Sequence, residues 1–227
     1  MAIESTLDEG WFGLLKPIDY RRVGIFYNRL LYSSPPERIP AGVLGAFDRE
    51  AAQTSYKNGQ IAVIDSLLSA TAIAALRQWC MESTIFFDAN PQGYVGAYFE
   101  EGFTSPLLLQ VIEELKAAFP KVLGPHRLNE AWAYKYDSTG KGIKTHADTA
   151  AVNLNLWVTP DSANLDPNSG GLVVFKKEAP LHWDFSEFNS PKGLPKMEAF
   201  LKGSEQANFV LYSFHFFCFH FFYVLCF

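Results

Sequence analysis

Between Phe209 and Phe227 there is no lysine, arginine, aspartate, glutamate, glycine or proline, and no basic residue follows Lys202. The chain has three cysteines, Cys80, Cys218 and Cys226, and none forms a C-x-x-C pair. That excludes a disulfide framework and makes a reducing compartment the default, so a cytoplasmic location is expected. Long basic blocks are missing and the net charge is -5. Binding driven by a nucleic-acid backbone is therefore not expected. Met1 to Glu9 carries acids and no basic cluster, which is not the pattern of a secretory signal. No internal period of the helical-repeat kind is visible.

What is present suits a globular domain with an extension: 227 residues, 48% hydrophobic and 19% charged. Phenylalanine is uneven, with eight of 20 between Phe209 and Phe227. The chain divides into an N-terminal helical extension over 1–60, a main domain over 61–208, and an aberrant aromatic and apolar tail over 209–227. In the extension, Val23, Ile25, Phe26, Leu30 and Leu31 fit a short helix over Arg21 to Tyr32 that Pro35-Pro36 stops. A second short helix is expected around Asp48 to Tyr56.

In the main domain, Ile61 to Ile64 is a strand candidate. Asp65, Ser66 or Ser69 caps a helix whose apolar positions are Leu67, Leu68, Ile73, Leu76, Trp79 and Cys80. Cys80 has no base nearby in the sequence and reads as a core cysteine. Asp88 to Gly93 is a turn-rich loop, and Tyr94 to Phe99 is a strand or rim segment. A clearer helix has Ser105 as cap, Pro106 at its first position, and a stripe of Leu108, Val111, Ile112, Leu115 and Phe119 ended by Pro120. Glu113 and Glu114 are expected to face solvent, and His126 to lie at the surface or rim.

The most patterned stretch is 130–175. Trp132, Tyr134 and Tyr136 alternate with Ala131, Ala133 and Lys135, which predicts a strand. A glycine-bearing loop over 137–142 leads to His146-Ala147-Asp148. On extended backbone the first and third of these residues point the same way, so imidazole and carboxylate can meet one ion. Nitrogen and oxygen ligands suit ferrous iron without excluding manganese or zinc, and a third ligand must come from elsewhere. Val152, Leu154, Leu156 and Val158 alternate with Asn153, Asn155 and Trp157 in a second strand. Ser169-Gly170-Gly171 then opens a third, Leu172 to Phe175. His182 is a weaker ligand candidate, because its stretch precedes a long loop.

The series Tyr136, glycine loop, His146-x-Asp148, Asn-bearing strand and Gly170-Gly171-Leu172 resembles the 2-oxoglutarate/Fe(II)-dependent oxygenases, prolyl-hydroxylase-like. It is most similar to an uncharacterised subgroup often found beside tetratricopeptide repeats. The resemblance runs from about Ile61 to Asn208. It implies a mainly β fold with buttressing helices: a double-stranded β-helix, or jelly-roll (cupin-like) barrel, with its final strands missing or altered. It also implies His146 and Asp148 as metal ligands, Tyr136 as a 2-oxoglutarate-binding residue, and Fe(II), 2-oxoglutarate and ascorbate as cofactors. The implied activity is a dioxygenase, hydroxylating a protein side chain or a small molecule while 2-oxoglutarate is oxidatively decarboxylated.

The tail departs from that family, which places its distal histidine and a basic cosubstrate clamp here. Three readings stand. The stretch is a truncated or misread terminus, an apolar segment able to tether the chain to a membrane, or a divergent barrel strand in which His215 or His220 is the third ligand. Of the two, His220 is nearer the expected position. Beside the dioxygenase, the sequence leaves open a non-catalytic β-barrel module and a membrane-tethered protein.

Overall fold

The computed structural model describes residues 34–223 apart from 60, 91–92, 137–144, 149, 161, 163–171, 178–179, 181 and 210–214. The helix expected over Arg21 to Tyr32, the loop 137–142 and the turn 169–171 lie outside the described residues.

In chain order the elements are α1 (Arg49–Gly59), α2 (Ala70–Glu82), β1 (Asp88–Asn90), β2 (Tyr94–Tyr98), a 3-10 turn (Phe99–Glu101), α3 (Pro106–Ala118), β3 (His126–Tyr136), β4 (Val152–Trp157), β5 (Leu172–Phe175), α4 (Phe185–Asn189), α5 (Leu194–Leu201), β6 (Gln206–Phe209) and β7 (His215–Tyr223). The helix starts follow capping chemistry. Ser69 accepts the Ala72 N–H at 3.3 Å and Ser105 that of Leu108 at 3.0 Å, each meeting a donor that the first helical turn leaves unpaired. Ile61 to Ile64 is not a strand. The expected loop after Phe87 is instead a hairpin, in which Asp88, Ala89 and Asn90 pair with Gly96, Val95 and Tyr94.

The main sheet has five strands in the order β1-β2-β3-β7-β4, every neighbouring pair antiparallel. Its edges are β1 and β4, so it is open. β5 and β6 pair with each other as a separate two-stranded sheet. The expected double-stranded β-helix is therefore corrected. A jelly roll needs two sheets of about four strands facing each other, and a five-stranded open sheet with a two-stranded ribbon does not make that wall. The tail segment His215–Tyr223 is the fourth strand in spatial order, inserted between β3 and β4.

One face of the sheet carries the core. Ala97, Ala131, Ala133, Val152 and Leu156 are buried there with Leu76, Trp79 and Cys80 of α2 and Leu107, Leu108, Val111 and Leu115 of α3. Trp79 stacks on Phe103 at 4.7 Å. His126 is buried as well, 4% exposed, which corrects its expected surface position. A register shift between Leu128 and Glu130 makes this possible. The extra residue, Asn129, puts Leu128 on the core side and Glu130 on the other, although both are even-numbered.

A strap over 36–45 crosses α3. Gln110 accepts the Ile39 N–H at 2.8 Å and donates to the Ile39 carbonyl at 2.9 Å and to Glu114 at 2.7 Å. Glu114 in turn accepts the Val43 N–H at 2.9 Å. Glu114 is thus a clasp rather than a solvent-facing carboxylate. Glu113 does reach outward, to Arg38 at 2.6 Å.

Candidate ligand-binding face and the His146 loop

The face of the sheet away from the helices is aromatic. Directly opposed residues of antiparallel strands project to the same side, so the register sorts that face into cross-strand rows. Asn90, Tyr94 and Tyr136 form the first row; Asp88, Gly96 and Tyr134 the second; Tyr98 and Trp132 the third. The Tyr94 ring lies 4.6 Å from that of Tyr134 and 5.3 Å from that of Tyr136, tilted 50° and 46° to them. Tyr98 and Trp132 meet Tyr134 at 6.1 and 6.3 Å. All five aromatic side chains are half-buried.

Gly96 explains how the second and third rows interlock. A Cβ there would sit 2.8 Å from both the ring and the hydroxyl of Tyr98. The Tyr98 ring therefore lies back over the gap that glycine leaves. Its hydroxyl comes to rest between the two neighbours of Gly96 in the register. Burial, and then the neighbouring Tyr98 hydroxyl, push the Tyr134 phenol far up. Burial and the Asp88 charge raise Tyr94. Tyr98 is raised chiefly by burial, with the Asp88 charge adding to the rise and the Tyr134 hydroxyl opposing it. The phenols thus stay protonated, and the field of one carboxylate reaches two of the rings.

The predicted metal residues lie toward β4, where Asn153 shares a row of this face with His220 and Glu130. His146 Nε2 stands 3.4 Å from Asp148 Oδ1, with side chains 44% and 26% exposed. Asn153 of β4 donates to Asp148 Oδ2 at 3.1 Å. Asn189, at the end of α4, accepts the Ala147 N–H at 2.9 Å and donates to its carbonyl at 2.7 Å. His146 and Asp148 are thus brought together, as the His-x-Asp spacing predicted. His220 sits in β7 with Asn153 and Glu130 as its register neighbours. Tyr136 is placed in the aromatic cluster. Among the described residues no three His, Cys, Asp or Glu side chains gather in a group able to hold a metal ion. His182 is exposed and belongs to no such group.

Compared with protein-family models, with curated proteins and with solved structures, the chain matches none. The oxygenase resemblance is therefore corrected together with the barrel. The 2-oxoglutarate/Fe(II) dioxygenase activity it implied loses its support: the sheet is open, and among the described residues no three His, Cys, Asp or Glu side chains form a group able to hold a metal ion. The expectation of 2-oxoglutarate and ascorbate rests on that resemblance alone, and that of iron also on the nitrogen and oxygen donors of His146 and Asp148. No helix among the described residues is long and apolar enough to cross a membrane.

Sequence reasoning found Trp132, Tyr134 and Tyr136 as one face of a strand. It missed Asp88, Gly96 and Asn189. A signal for two of these was present: Tyr94-Val-Gly-Ala-Tyr98 alternates with period two and puts a glycine between two tyrosines on one face, beside an acidic hairpin strand.

Proposed function

We propose that this chain is a ligand-binding module whose site is the aromatic sheet face around Tyr94, Tyr98, Trp132, Tyr134 and Tyr136. The observation carrying this is a cluster of half-buried rings packed around Tyr94 and Tyr134, with the exposed carboxylate of Asp88 in the same cross-strand row as Tyr134. Rings of this kind offer large, rigid contact area with little side-chain entropy to lose, and their hydroxyls give polar anchor points. A small molecule is the occupant in this reading, and nucleic acid is not, because the carboxylate and the overall charge of -5 oppose a polyphosphate. A cytoplasmic setting belongs to the same reading, from the sparse cysteines.

The test is a titration of the full chain with a panel of small probes: choline, a neutral oligosaccharide and acetate. Tryptophan emission and thermal midpoint are the readouts. At least one probe should shift both, and Tyr94→Ala or Tyr136→Ala should remove the shift while far-ultraviolet circular dichroism stays unchanged. A response that survives both substitutions, or no response to any probe, would overturn the proposal.

A further inference from the structure

We infer that the ligand of the aromatic face is a small organic cation bearing a quaternary or methylated ammonium group, with Asp88 as its counter-charge. This rests on the binding reading above and narrows it to one chemical class.

Charge complementarity carries the inference. Of the side chains in the first three rows, only Asp88 is ionisable near neutrality, and it is negative. Glu130, in the next position along this face of β3, stands opposite His220 of β7. The basic residues of β3 stand elsewhere. Arg127 lies beyond the bulge at the far end of the strand. Lys135 belongs to the opposite face, where its ammonium sits 4.1 Å above the Phe86 ring. An anion would thus meet a carboxylate and no described cation at this end of the face, whereas a cation meets electron-rich rings and the carboxylate of Asp88.

The ring geometry agrees. Tyr94 leans at about half a right angle to both Tyr134 and Tyr136, and Tyr134 stands at 86° to Tyr136. Ring faces pointing in several directions suit a rounded ammonium better than they suit the flat face of a sugar, which stacks on a single plane. Rings attract such a cation through their quadrupoles, and the attraction strengthens as water is excluded. Asp88 lies in one row with Gly96 and Tyr134, and the Tyr98 hydroxyl lies over that row at Gly96.

The experiment compares choline with its uncharged isostere, in which carbon replaces the quaternary nitrogen, on the full chain by calorimetric titration. A neutral oligosaccharide and acetate run as further arms. Choline should bind roughly three- to tenfold more tightly than the isostere. Asp88→Asn, a conservative change at an exposed position, should shrink that preference to the part that the rings supply. Added salt should weaken choline binding and not that of the isostere. Equal affinity for choline and the isostere, both lost in Tyr94→Ala, would overturn the cation assignment and leave the binding face standing. So would a preference for the oligosaccharide or for acetate. No binding by any probe would overturn both.

Discussion

Asn189 holds the backbone of Ala147 from both sides, its amide oxygen 2.9 Å from the Ala147 nitrogen and its amide nitrogen 2.7 Å from the Ala147 oxygen. The residue between His146 and Asp148 is thus pinned by a helix end more than forty positions away. The capping box of α4, in which Asp184 and Glu187 satisfy each other's backbone donors, fixes the helix that presents Asn189. Asn189→Ala should cost about 1–3 kcal/mol, since two bonds to partly buried backbone are lost together. Asn189→Asp should be at least as damaging, because a carboxylate would then face the Ala147 carbonyl. Urea melts give the magnitude, and hydrogen exchange at the Ala147 amide should speed up in both variants. Unchanged exchange would show that the clamp does not order this loop.

Gly96→Ala should destabilise by about 1–3 kcal/mol, because the new methyl must displace the Tyr98 ring lying over it. In a Tyr98→Ala background the same change should be close to neutral. A double-mutant cycle measures this, and additive effects would mean that the two residues do not compete for the space above the strand.

The Glu114 clasp predicts a pH dependence. Burial alone would raise this carboxyl, but the N–H groups of Val43 and Leu44, the Gln110 amide and the Arg38 charge together outweigh it, and the net shift is downward from 4.5. A carboxyl depressed on folding stabilises the native state in its ionised form. The contribution is complete above the ordinary value and is lost as pH falls through the lower folded one. Glu114→Gln should therefore cost stability near neutrality and flatten the acid limb of the stability curve. Urea melts taken from neutral pH down through the carboxylate range test this, and an unaltered acid limb would count against the clasp.

Burial pushes the Cys80 thiol up to about 12, against the opposing pull of Lys135. Its thiolate should be almost absent near neutrality. Peptide mapping after iodoacetamide should find Cys80 unmodified in the native chain and alkylated in urea. Rapid native alkylation would mean that α2 opens readily.

Much of the helical layer could be read from the chain. Ser105-Pro106 marks the start of α3 because an accepting hydroxyl and a missing N–H both suit the first turn, and that reading needs only adjacent residues. The alternation in β3 and β4 was equally plain, and so was the meeting of His146 with Asp148, two positions apart. The sheet order was not. Trp132 pairs with Cys218, and Asn153 with His220. Nothing near either residue states the partner. The 130–175 pattern consequently suggested a closed barrel, although local motifs carry no information about which strands will pair with their distant edges.

Sequence alone determined the caps, the stripes of α2 and α3, the aromatic face of β3 and the His-x-Asp pair, because each depends on side chains within a turn or a strand's length. Tertiary structure decided the rest. It inserted β7 between β3 and β4, turned Leu128 inward through one extra residue, and brought Asp88 and Tyr98 beside Tyr134. It also set Asn189 against Ala147. These are pairings across long loops, where packing and hydrogen-bond satisfaction summed over the whole fold choose among partners that local chemistry leaves equivalent.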